Sequence, residues 1–249
     1  MTSPLNGTVM WLTWRQLFAR RRLWVAVAFA LLPALFTIGF RILADDGGAA
    51  RASYFNSLSR EIVIGTLLPL AALVFGTTAF GGEVDDGTLI YLLVKPIRRW
   101  RLFTSKMTVS VLSTLAVVSV AIVLPWSLLS GPDIPNRAVL SYLGGCAVGT
   151  LLYTAMFLAL GLWNKRALVI GLLYIIAYEA FLSRGMPGLG SFSVRSIALG
   201  FTNMISAGSV VIDGAVPKNT VLIAGAIILA VATFLTAYRL SRYEVAERL

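Results

Sequence analysis

Six apolar runs, each near the length that crosses a bilayer, leave this chain few alternatives to a bundle of membrane helices. They cover 23–43, 62–81, 107–129, 139–163, 167–182 and 221–238, the fifth being the shortest. A helical crossing needs about 20 mostly apolar residues. Inside lipid every peptide group must be satisfied by the protein, which restricts spanning structures to helices and closed barrels. Runs this long and continuous predict helices. The expected fold is an all-α, six-helix transmembrane bundle forming one domain over 1–249, with no repeat or low-complexity tract to mark a second. Pro33, Pro69 and Pro125 fall inside runs, where a missing N–H and a ring against the preceding turn predict kinks.

Composition agrees and removes several function classes. Only 13% of the 249 residues are charged and the mean hydropathy is +0.84, whereas soluble domains carry about 25% charged residues. The net charge of +10 does not point to nucleic acid, because the cations are scattered over short loops rather than gathered on one face. Histidine is absent and Cys146 is the sole cysteine. His-based metal sites, the commonest general base, disulfides within the chain and Cys-rich metal sites are therefore excluded. No metal site is expected.

The cations also set orientation. With the N-terminus inside, fourteen of the twenty-one Lys and Arg fall on the cytoplasmic side and seven on the other, which places both termini in the cytoplasm. The first run, preceded by a long basic segment bearing tryptophans, is longer than a signal-peptide core and is expected to stay uncleaved. In the leading segment, about 6–22, Met10, Trp11, Trp14, Leu17 and Phe18 share one helical face. Thr13, Arg15, Gln16 and Arg20 share the other, and Leu12 is the exception. That pattern suits a helix lying in the inner headgroup layer, or an N-terminal extension of the first crossing.

Between the second and third runs stands GEVDDGTLIYLLVKPIRRWR, residues 82–101. Asp85 or Asp86 can cap a helix start, Gly87 and Thr88 fit its first turn, and Pro96 ends it. The segment Leu89 to Val94 is too short to cross a bilayer and is apolar nearly all round. Water is a poor environment for it, so another surface must cover it. Glu83 beside Gly81 and Gly82 reads either as a polar anchor pairing with Arg98, Arg99 or Arg101, or as a solvated carboxylate.

The string Glu83, Gly87, Thr88, Leu89, Leu92, Leu93, Pro96, Arg98 or Arg99, and Lys106 resembles the E-x-x-x-G-T-L-x-x-L-L-x-x-P-x-x-R…K pattern of ABC-2 type permeases. These are membrane subunits of ATP-binding cassette transporters. The resemblance implies a coupling helix over 85–96, within a loop of about 83–106, that docks on an ATPase. It further implies an exporter, two copies of a separate ATPase holding ATP and Mg, and a second permease subunit, identical or paralogous. The setting it implies is the plasma membrane of a bacterial cell. One part should be missing from this chain. A P-loop needs Gly-Lys-Ser/Thr, and Lys95, Lys106, Lys165 and Lys218 follow Val94, Ser105, Asn164 and Pro217. ATP hydrolysis is thus expected in the partner, and no cofactor in this chain.

Other positions stay open on the sequence alone. Glu179 lies within the fifth run; such a group is costly in lipid unless paired. It either lines an outer vestibule with Tyr174 and Tyr178 or is wetted or paired with Arg184. The stretch 183–219 is too long for a simple connection, with a short helix expected over 193–205. By the resemblance it forms re-entrant helices closing the outer end; otherwise it is a surface loop. Gly145 and Gly149 would admit a close helix neighbour, in the fold or between copies. A secondary transporter should show symmetric broken helices and midplane charges, for which Glu179 is the one candidate. An intramembrane enzyme lacks a nucleophile–base pair, and a membrane scaffold or sensor subunit is the remaining alternative.

Overall fold

The computed structural model describes residues 10–12, 20–43, 47–85, 99–129, 134–164, 166–182, 189–206, 208 and 217–242. Among these every element is helical. Helix α1 is Arg20–Leu43. A continuous helical stretch follows: α2, Gly48–Ser57, passes through a π-helical segment, Leu58–Leu67, into α3, Leu68–Asp85. Then come α4, Arg99–Leu128, and α5, Asn136–Trp163. Helix α6, Ala167–Tyr174, continues as a second π-helical segment, Ile175–Leu182. A 3-10 turn, Leu189–Phe192, leads to α7, Val194–Ser206, and α8 is Lys218–Arg242.

Five helices are long and apolar enough to cross a membrane: Ala26–Leu43, Gly48–Gly81, Trp100–Leu128, Asn136–Trp163 and Lys218–Arg239, with a shorter apolar helix at Ala167–Glu179. The chain is a multi-pass, all-α membrane protein. Its second helix starts fourteen residues before the apolar run that announces it. Gly48–Ser57 is too mixed in polarity to register as a span, yet Phe55 and Leu58 are buried and hold it in the bundle. The interfacial helix expected over 6–22 lies largely outside the described residues; 10–12 and the start of α1 are helical.

The prolines behave as local chemistry requires. Pro69 is the second residue of α3, directly after the π segment. A π turn, with its i→i+5 spacing, gives the ring room that an α turn lacks. Pro33 sits within α1, where the Thr37 hydroxyl donates to its carbonyl at 2.8 Å. Thr77, Thr114, Thr154 and Thr202 bond back in the same i−4 manner. A buried hydroxyl is thereby satisfied without a neighbour.

Helix α5 is the hub, packed against α3, α4, α7 and α8, while α1 packs on α4. Arg41 donates to the Leu128 carbonyl at 2.7 Å, filling one of the orphan acceptors at the end of α4. Only 22% of the apolar window of α1 or of α8 is buried, against 67% for Gly48–Gly81; the first two are peripheral.

Glycines let the hub be approached closely. A Cβ on Gly161 would stand 2.6 Å from the Thr77 carbonyl oxygen and 3.1 Å from its Cα, so two backbones touch there. Gly171 instead faces the Leu73 side chain. Gly145 lies against Ala198 and Thr202 of α7, and Gly149 lies 3.1 Å, measured from an ideal Cβ, from the Ala198 methyl. The Gly145–Gly149 pair thus serves contact within the chain.

Gly161→Ala is expected to lose about 1–3 kcal/mol, the usual cost of overpacking, read as a lower unfolding midpoint in detergent. Gly39→Ala, with nothing within 4 Å of the added methyl, should leave that midpoint unchanged.

Candidate functional site

Two constellations of polar groups interrupt the apolar bundle, one at each end. The end at which α1 begins and α8 finishes is the terminal end; the other is the far end.

At the far end Glu179, in the π segment after α6, is only 2% exposed. Its carboxylate accepts from the Ser193 hydroxyl, from the Val194 N–H at 3.1 Å and from the Tyr174 hydroxyl at 3.3 Å. Val194 opens α7, whose first amide groups have no partner within the helix and carry a partial positive charge. Ser193 is the local cap, since its oxygen also accepts from the Ser196 N–H at 3.3 Å. Glu179 is therefore a second cap delivered from another helix, and a carboxylate suits that place. The wetted reading of Glu179 is not what the structure adopts, and Arg184 lies outside the described residues. The expected helix over 193–205 is found at Val194–Ser206.

Tyr174 and Tyr178 are brought to the same place, stacked with centroids 5.3 Å apart. The aromatic series continues through Phe157, edge-on to Tyr174 at 6.3 Å, to Tyr153, stacked on Phe157 at 5.9 Å.

From the second residue of α7, the Arg195 guanidinium reaches the Glu61 carboxylate at 2.7 Å; the arginine side chain is 9% exposed and the glutamate 46%. Arg60 approaches the same carboxylate at 3.5 Å. This pair was not visible in the sequence, where Glu61 and Arg195 are 134 positions apart; two opposite charges at the margins of apolar runs were the only signal. Two buried polar atoms of this pair and its neighbour have no hydrogen bond among the described residues: Arg195 Nε and Ser59 Oγ. Burying such atoms unpaired costs free energy, so this end holds α7 less tightly than a fully paired network would.

At the terminal end α3 and α4 are tied together. Lys106 is 1% exposed, its ammonium donates to the Ala79 carbonyl, and it sits 4.6 Å from the Phe80 ring centroid. One turn further along α4, the Ser110 hydroxyl donates to the Phe75 carbonyl at 3.3 Å. A lysine that the sequence presents as the start of a crossing is thus a buried strut. Glu83 and Asp85 lie on the last turn of α3, and Arg99 is the first residue of α4; their side chains are outside the described residues. Asp86, Gly87, Thr88, Leu89, Leu92, Leu93, Pro96 and Arg98 also lie outside them, as does the expected coupling helix.

Glu179→Leu should destabilise the far end by about 2–3 kcal/mol, the scale of hydrogen bonds to a charged group. Glu179→Gln, which keeps an acceptor, should cost less. Glu61→Leu strands a buried guanidinium and is expected to be worse than Arg195→Met. Unfolding midpoints of the single and double variants in detergent measure both comparisons.

No curated protein matches the chain. Residues 17–179, more than half of the sequence, match the model of the family described as ABC-2 family transporter proteins. Its members are membrane transport subunits rather than enzymes and generally work with an ATPase subunit. The match takes in α3, α4 and the motif-bearing segment between them, and it ends at Glu179. With its apolar helices and tied α3–α4 root, this chain belongs to the ABC-2 family of transporter proteins.

Proposed function

We propose that the chain is the permease subunit of an ABC exporter in the plasma membrane of a bacterial cell, with both termini cytoplasmic. In this reading α6 and its π extension form the sixth crossing, and the helices over 189–206 are re-entrant and close the outer end. Two such subunits, identical or paralogous, form the pathway. Two separate ATPase subunits hydrolyse ATP and press on the apolar segment over 85–96. Glu83, Asp85, Asp86, Gly87, Thr88, Leu89, Leu92, Leu93, Pro96, Arg98 and Arg99 make or shape that contact, while Glu179, Tyr174 and Tyr178 sit beside the outer part of the pathway.

The observation that carries this reading is the Lys106 strut. It joins α4 to α3 at Ala79, just above the two ends of the segment the ATPase would push. A force on that segment then moves both helices as one body. Binding energy at the segment is useful only if it differs between the two states of the transporter.

Co-expression with the partner ATPase tests the proposal. Leu89→Glu, Leu92→Glu and Leu93→Glu together should abolish co-purification and vanadate-sensitive ATP hydrolysis by the pair. Lys106→Met should still assemble. Vanadate trapping should change maleimide labelling of Phe192→Cys at the far end in the parent, and should leave it unchanged with Lys106→Met. Full assembly of the triple glutamate variant would sink the proposal. An ion-driven secondary transporter is the second reading, favoured by the buried Glu179 carboxylate. Transport by the chain alone on an ion gradient in vesicles would establish it instead.

A further inference from the structure

A cavity of about 530 Å³ lies between α5, α6 and α8, walled by Phe157, Leu160, Ile170, Ile228 and Val231 and reaching Trp163 and Leu235 toward the terminal end. Its walls are apolar throughout. Along α8 it extends from Ile227 to Leu235, about 12 Å of helix. A slot of this length with an apolar lining suits hydrocarbon chains lying along α8.

The terminal end of the cavity is different in character. The Trp163 indole N–H donates to the Leu235 carbonyl at 3.4 Å. The Arg239 guanidinium, one turn beyond Leu235, lies 5.6 Å from the Trp163 ring centroid. Tryptophan and arginine side by side at the end of an apolar slot match the headgroup level of a bilayer, where indoles anchor and guanidinium groups bind phosphate. We propose that this cavity is a binding site for an anionic phospholipid of the inner leaflet, its acyl chains between α5, α6 and α8 and its phosphate on Arg239. The assignment to the inner leaflet rests on the orientation given under the proposed function. Lipid occupancy itself needs neither ATP nor the ATPase, so its failure and the failure of the transporter reading are separable.

The site gives α8, a peripheral helix, a lipid neighbour on one side. Exposed Ile227 and Val231 are covered on the cavity side by lipid chains, and the slot between α6 and α8 is filled without a side chain from elsewhere.

The test uses the purified full chain, stripped in detergent and titrated with phosphatidylglycerol carrying dibrominated acyl chains, which quench nearby indoles. Saturable quenching is expected, and the part that disappears in Trp163→Phe reports this site. Dibrominated phosphatidylcholine, whose choline cation offsets its phosphate, should bind roughly five- to tenfold more weakly, the scale of one cation acting on a headgroup of net negative charge. Arg239→Gln should erase that preference while leaving chain binding. Val231→Phe, which fills the slot, should remove the Trp163 signal with both lipids at an unchanged unfolding midpoint. Equal affinity for the two lipids would overturn the proposal. So would Trp163 quenching that never saturates, or disulfide formation between Val231→Cys copies in membranes, which would put a second chain over the slot.

Discussion

Every peptide group placed in lipid must find its partner inside the protein, and this requirement shapes each unusual feature of the bundle. It explains why hydroxyls along α1, α3, α4 and α5 turn back onto their own helices, and why Arg41 is spent on a carbonyl at the end of α4. It also explains why a proline is preceded by a π segment rather than by a break. The same requirement makes a short helix such as α7 expensive, since so large a share of its groups lies at its ends. Ser193 and Glu179 together meet the cost at its N-terminus. A carboxylate that looks anomalous in an apolar run is, in place, an electrostatic fit.

The two polar constellations share a mechanical element. Glu61 and Ala79 lie on one continuous helical stretch, Gly48–Asp85. The Glu61 end holds α7 through Arg195, and the Ala79 end receives α4 through Lys106. The terminal contact is fully buried, whereas the far contact uses a half-exposed glutamate and, among the described residues, leaves Arg195 Nε without a hydrogen bond. The asymmetry makes the terminal end the stiffer of the two.

Much of this was legible in the sequence because it is written in composition and period. The apolar runs gave the helices, and the gap between runs five and six gave a helix displaced by one residue from Val194–Ser206. The motif pointed to the family that residues 17–179 match. The rest is non-local. Nothing near Glu61 announces Arg195, nothing near Ala79 announces Lys106, and the backbone contact of Gly161 with Thr77 leaves no mark in hydropathy. The Gly48–Ser57 turns do not register in hydropathy because polar residues outweigh the few that pack, Ala52, Tyr54 and the buried Phe55. For Glu179 the sequence supplied the cost of burial, and only the fold supplied the amide groups that offset it.

The Gly161–Thr77 contact has a consequence for how such a chain can drift over generations. Where Gly171 meets the Leu73 side chain, a larger residue on one partner can be answered by a smaller one on the other, and the two positions can wander as a pair. Gly161 meets main-chain atoms, which every substitution at 77 retains. No change across the seam can make room, so this position should stand still while its surroundings exchange one apolar residue for another.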